Sequence, residues 1–322
     1  MRLLLIGLLA LAAPAAAAPV CDAVWHDAAR DRDVPVRIRL PQGDGRVPLV
    51  LFSHGLGGDI GSGAIWTSAW VDHGLAVVHI QHHGSDIAVY RGATGPDDRR
   101  ARVHAAATAE QLLARVADAG FVLDELGRRK TEGACDLTRI DTSRAGFAGH
   151  SMGAWTAQAL AGQRWFGAAR LVDPRFRAAI AFSPSAFAIS PPASAETELA
   201  AAFGGITMPF FSITGTADGA PPTSDTVQQA AAEAQRVGPY IGMSPGDKFL
   251  LVFKDGDHLV FSGNRLRRAP IAADPHIQAV TVAASTAFWG ATLLGDTGDT
   301  AFLASPTGLR AQLAPGDRFA SK

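Results

Sequence analysis

Three residues in this chain could act as a chemical unit: a serine, an aspartate and a histidine, each at the end of a short apolar run. Ser151 lies in Gly149-His150-Ser151-Met152-Gly153, between the strand-like stretch Arg144 to Gly149 and the helix-forming stretch Ala154 to Ala161. A strand, a sharp turn and a helix with serine at the tip describe a nucleophile elbow. Such a turn is strained, and glycines two places either side let the backbone bend without a Cβ collision. The helix that follows aims free N–H groups and a partial positive charge at the place where an oxyanion would form. A serine hydroxyl also needs a base, and the base needs an orienting acid. Asp218 follows the run Phe210 to Thr214 and His258 follows Phe249 to Phe253, in the order serine, acid, histidine. Asp255 and Asp257 rival Asp218, yet both lie on the histidine's own loop, and the neighbour of His258 cannot easily turn back onto its ring. Two backbone amides are expected to hold the oxyanion, those of Met152 and of Leu56 in the glycine-rich loop His54-Gly55-Leu56-Gly57-Gly58.

Other candidates carry less. His82 and His83 with Asp86 imitate metal ligands, but adjacent histidines diverge and no further cluster has ligand spacing, so neither a metal nor a cofactor is expected. A solvated or substrate-facing loop is the expectation there. His150 is expected to point away from Ser151 and to pack. Trp66, Trp70, Phe261 and the segment 183–205 could wall a pocket, although core burial is the plainer role for the aromatics. Arg265, Arg267 and Arg268 could meet an anionic substrate or simply face solvent.

These residues need a scaffold, and the apolar patterning supplies one. Asp33 to Leu40 alternates apolar and polar, which predicts a half-exposed antiparallel edge strand. Val47 to Ser53 and Leu75 to Ile80 are continuous apolar runs, as in strands buried on both faces. Similar runs follow at Phe176 to Phe182, Met208 to Thr214 and Phe249 to Phe253. Helices are expected around 65–72, 105–126, 223–237 and 274–294, with a charged loop over 90–102. Strands alternating with helices predict an α/β fold: one doubly wound, mainly parallel sheet over residues 18–322, with no large lid domain.

The bulk properties narrow the classes. With 29 basic and 30 acidic side chains the formal charge is −1, so there is no electrostatic footprint for nucleic acid or for an anionic membrane surface. No run in the body of the chain reaches the roughly 20 apolar residues of a spanning helix, and no stable membrane anchor is expected. Met1-Arg2, the apolar Leu3 to Leu11 and the alanine-rich stretch to Ala18 read as a signal peptide cleaved after Ala17, which implies a secreted or periplasmic protein. Both cysteines, Cys21 and Cys135, fall in the exported part, where a disulfide between them is expected and two separate buried thiols are the alternative.

Leu51 to Gly58, His82-His83-Gly84-Ser85-Asp86 and Gly149 to Gly153 together resemble the α/β-hydrolase superfamily. Within it the chain is similar to the platelet-activating-factor acetylhydrolase and bacterial "predicted dienelactone hydrolase" group. The resemblance implies a serine hydrolase of carboxylic esters, with Ser151 and His258 as nucleophile and base and Leu56 and Met152 as oxyanion donors. Two departures limit it. The place directly after the strand that follows the elbow helix reads Ala181-Phe182-Ser183-Pro184-Ser185, without the carboxylate found there in the animal acetylhydrolases, so Asp218 must serve one strand later. True dienelactone hydrolases carry cysteine where this chain has Ser151. A small or lipid ester is the expected substrate, with phospholipid acetyl esters and polyesters as alternatives. A secreted serine peptidase and a non-catalytic binding protein are the rivals from other classes.

Overall fold

The computed structural model describes residues 18–165, 169–186, 196–219, 224–264 and 269–322. The expected signal peptide of residues 1–17, the expected Pro221-Pro222 turn, residues 187–195 of the 183–205 segment and the arginines at 265, 267 and 268 lie outside them. Nine strands form one sheet: β1 (Val20–Asp27), β2 (Arg32–Arg39), β3 (Val47–Ser53), β4 (Ala76–Ile80), β5 (Ile140–His150), β6 (Phe176–Phe182), β7 (Phe210–Ala217), β8 (Lys248–Asp257) and β9 (Arg318–Ser321). Their order across the sheet is β1-β2-β4-β3-β5-β6-β7-β8-β9. Strands β3 to β8 pair in parallel, while β2 runs against both its neighbours and β9 runs against β8. The α/β expectation with a mainly parallel sheet therefore holds.

The expected edge strand at Asp33 to Leu40 is corrected. It is β2, an interior strand covered by β1, and its apolar side chains Val34, Val36 and Ile38 are fully buried. The outer strand β1 keeps Val20 and Val24 exposed. A bridge between Cys21 and Cys135 ties β1 to the segment ahead of β5. Closing a loop of 114 residues contributes about 4–5 kcal/mol on the chain-entropy account.

The helices are α1 (Ala64–Asp72), α2 (Pro96–Ala106), α3 (Ala109–Arg128), α4 (Met152–Ala161), α5 (Glu196–Phe203), α6 (Thr226–Gly242), α7 (Asp274–Trp289) and α8 (Thr297–Ala304). One face of the sheet packs Trp66 and Trp70 of α1 and Val280 and Phe288 of α7. The other packs Val122 and Leu123 of α3 and Leu160 of α4. The stretch expected as a charged loop over 90–102 is largely α2, whose first turn has Pro96 at its start and two aspartates that favour a helix N-terminus. Residues Asp274–Leu294 are long and apolar enough to cross a membrane by length and composition, against the expectation that no such run exists. Ile277, Val280, Ala284, Phe288 and Trp289 of this helix are instead buried against the sheet.

From β3 the chain moves outward to β4 and then returns to lay β5 on the other side of β3. The strand order reverses between β3 and β5, and the crevice at their carboxyl ends is where an open α/β sheet binds its ligand. Ser53 and Gly149 are register partners there, immediately before the glycine-rich loop and the elbow.

Candidate active site

Ser151 stands between β5 and α4 at φ 55° and ψ −114°, a conformation that costs on the order of 1–3 kcal/mol for a residue with a side chain. The surrounding glycines explain how it is held. A Cβ on Gly149 would sit 2.3 Å from the carbonyl oxygen of Gly153, and one on Gly153 would sit 2.1 Å from that of Ser53. Strand β5, helix α4 and strand β3 thus meet at a distance that only glycine permits. The Ser151 N–H donates to the Phe182 carbonyl at 2.9 Å, which ties the turn to β6.

The three residues singled out by their order come together. Ser151 Oγ is 3.0 Å from His258 Nε2, and His258 Nδ1 is 2.7 Å from Asp218 Oδ1. Asp218 is buried at the end of β7, and Thr214 Oγ1 donates to its other oxygen at 2.8 Å. Burial works to raise the Asp218 carboxyl, but the Arg236 guanidinium and the hydrogen bond from His258 outweigh it and hold the group well below the usual carboxylate range. Asp255 and Asp257 do not take this place. Asp257 accepts from the amides of Leu259 and Val260, and the amide of Asp255 donates to Thr216.

Arg236 was not legible in the sequence. It projects from α6, lies 3.0 Å from Asp218 Oδ1, and donates to the carbonyls of Ser183 and Pro184 at 3.1 and 3.2 Å. In sequence it reads as one polar residue on an amphipathic helix, and only the packing of α6 against β7 turns it inward.

His150 corrects a second expectation. It packs, but against the site rather than away from it: its ring lies 4.7 Å from that of His258, and its Nε2 donates to the His258 carbonyl at 2.9 Å. Burial holds it neutral, with its pKa lowered to about 3. That tautomer leaves Nδ1 unprotonated beside Gly55, where a Cβ would stand 2.9 Å away.

The amide of Met152 is the first of α4 and has no intrahelical acceptor. In the facing loop, Gly57 N–H donates to Ser85 O and Gly58 N–H to Gly55 O, both at 2.9 Å. Just before them the amide of Leu56 has no acceptor among the described residues. Gly55, Leu56, Ser151 and His258 share the wall of one cavity of about 180 Å³ with Tyr90 and Leu259.

A buried polar network lies beneath this loop and corrects the expectation of a solvated loop at His82 to Asp86. Arg115 of α3, fully buried, donates to His54 O at 2.6 Å, Ser85 Oγ at 2.9 Å and Ser53 Oγ at 3.2 Å. His82 Nδ1 donates to Asp118 at 2.9 Å, and its Nε2 lies 3.0 Å from Ser53 Oγ. Asp118 also receives Arg30 and Arg32. Burial lowers Arg115 to about 9, with the Asp118 and Asp86 carboxylates opposing it, and lowers His82 to about 4. Asp86 is buried and caps the 3-10 turn Ile87–Tyr90 through the Ala88 amide. His83 is the half-exposed member of the group, 3.3 Å from Asp86. Among the described residues no group of three or more histidine, cysteine or acidic side chains could hold a metal. Trp66, Trp70 and Phe261 are core residues: Trp66 and Trp70 stack on Phe182, and Phe261 stacks on Phe253.

The arrangement can move a proton from a serine hydroxyl to an imidazole whose orientation is fixed from behind, next to two amides free to receive an oxyanion. No protein-family model and no curated protein matches the chain, so the reading of this site rests on its own geometry.

Proposed function

We propose that the chain is a serine hydrolase of carboxylic esters with an α/β-hydrolase fold. The observation that carries this reading is the continuous contact Ser151 Oγ to His258 Nε2 to Asp218, at 3.0 and 2.7 Å, mounted on a strained turn at a helix N-terminus. In this mechanism Ser151 Oγ attacks the ester carbonyl as His258 Nε2 takes its proton. The amides of Leu56 and Met152 receive the tetrahedral oxyanion. The carbon–oxygen bond to the alcohol then breaks, and His258 returns the proton to the leaving oxygen. Water, deprotonated in turn by His258, releases the acid from the acyl-enzyme and restores the serine. Asp218 holds the Nδ1–H and stabilises the imidazolium without taking the proton.

The cleft of about 180 Å³ beside Ser151 fits the reacting ester group itself. The disulfide is compatible with an oxidising compartment, which fits a secreted or periplasmic role. Treating the protein with a fluorophosphonate and mapping the adduct by mass spectrometry tests the reading. Labelling on Ser151, with loss of short-ester hydrolysis by several orders of magnitude in Ser151→Ala, is expected. Undiminished hydrolysis by Ser151→Ala would overturn the esterase assignment, and no adduct at all would favour a binding protein.

A further inference from the structure

Tyr90 lines three cavities, two of which bear on the substrate. One is the cleft of Ser151 and His258, and the other is a groove of about 950 Å³ between the 3-10 turn Ile87–Tyr90 and α2, with Ile87, Pro96, Arg99, Val103 and His104 among its walls. The Tyr90 hydroxyl lies against the glycine-rich loop: a Cβ on Gly57, at φ +73°, would stand 2.3 Å from it. The Tyr90 side chain therefore borders both the cleft of the reacting serine and the groove.

Helix α2 buries none of its residues and packs on the 3-10 turn. A helix this polar gains little from the core, so its place over the groove is set by local contacts. The Arg99 amide donates to Gly95 O, and the Thr94 amide donates to Asp98. Arg100 and Arg102 pair with Asp97 and Asp98. Arg99 stands over the Tyr90 ring, 5.9 Å from its centroid, with no carboxylate partner among the described residues. Residues 91–104 hold four arginines (Arg91, Arg99, Arg100, Arg102) against two aspartates (Asp97, Asp98), a positive surplus in a chain of net charge −1.

We propose that this groove binds the apolar arm of an ester substrate that ends in a carboxylate, the half-ester of a dicarboxylic acid being the simplest case. Ile87, Val103 and the Tyr90 ring hold the methylenes, and Arg99 receives the carboxylate. The proposal rests on the esterase reading above. Stacking on Tyr90 orders the guanidinium before the substrate arrives, which lowers the entropy lost on binding. Because Arg99 is exposed, the effect is limited by solvent to between about threefold and fivefold and weakens with salt.

The test compares mono-p-nitrophenyl adipate with p-nitrophenyl hexanoate, esters of equal length that differ at the far end. Arg99→Gln is expected to lower kcat/KM for the adipate ester about three- to fivefold, mainly through KM, and to leave the hexanoate ester within about twofold. Arg99→Glu should fall further, Arg99→Lys should keep most of the preference, and raising salt from about 50 to about 500 mM should erode it. Since α2 buries nothing, these variants are expected to fold like the parent. Hexanoate cleavage with no Arg99-dependent discrimination overturns the subsite and leaves the esterase reading standing. No cleavage of either ester by the parent protein overturns both.

Discussion

Arg115 Nη1 donates to the carbonyl of His54 at 2.6 Å from a position with no solvent exposure. The same guanidinium reaches Ser85, whose carbonyl receives the Gly57 amide, so one buried cation holds both ends of the loop that carries Leu56.

On the mechanism proposed above, replacing Arg115 with methionine should therefore lower kcat more than it raises KM, because a Leu56 amide displaced by a fraction of an ångström would miss the oxyanion chiefly in the transition state. A loss of about 10- to 100-fold is expected for Arg115→Met, and a smaller one for Arg115→Lys, which keeps the charge but not the fork. Steady-state kinetics on variants whose thermal unfolding shows them folded at the assay temperature decides it. A change confined to KM, with kcat intact, would contradict the positioning role.

Arg236 fixes Asp218 from the side opposite Thr214, and it also lies 3.4 Å from His258 Nδ1. Arg236→Gln should cost about tenfold in kcat, near 1.4 kcal/mol, through a less firmly held carboxylate. The rate of fluorophosphonate labelling at Ser151 should fall in parallel, since it reads the same serine. Labelling at the parent rate would show that Asp218 needs no such support.

Gly153→Ala places a methyl group 2.1 Å from the Ser53 carbonyl and against the backbone of His54, neither of which can yield cheaply. Overpacking of this kind costs about 3 kcal/mol or more. Denaturant unfolding should show that loss, and a variant as stable as the parent would mean that the elbow is looser than the geometry describes.

Acid should destabilise the protein well before its carboxylates are protonated. Burial is the leading cause that lowers His79 and His150 to about 3 and His82 to about 4, against an ordinary value of 6.5. Below pH 6.5 the unfolded chain takes up protons at these sites that the folded chain excludes. Their contribution is complete above pH 6.5 and declines as pH falls toward about 4 for His82 and about 3 for His79 and His150, at up to roughly 1.4 kcal/mol per pH unit for each histidine. Asp118 and Asp218, both held low, add their loss only below about pH 4. Urea titrations at several pH values should show this slope. His79→Phe, which replaces a ring packed 5.4 Å from Phe52, should reduce it by one proton's worth, and an unchanged slope in that variant would reject His79 as a contributor.

Local steric and periodic signals account for most of what could be read ahead of the fold. Val47 to Ser53 and Phe176 to Phe182 are recognisable because a strand buried on both faces needs an unbroken apolar run. The elbow is recognisable because Gly149 and Gly153 solve a collision within a few residues of Ser151. Helix α2 was not, since it has no apolar stripe, and β1 and β9 were not, since edge strands need little apolar patterning.

The sequence by itself determined the alternation of strands and helices, the serine at the turn, and the order in which Asp218 and His258 follow it, because each depends on neighbours along the chain. Only the tertiary structure decided that Asp218 rather than Asp255 or Asp257 meets His258, that His150 packs on the site, and that Arg115, Arg236 and Tyr90 belong around it. A polar side chain on an amphipathic helix looks the same in sequence whether it faces water or a buried carbonyl. Which of the two it meets is set by what packs against that helix, and those contacts come from residues far away in the chain.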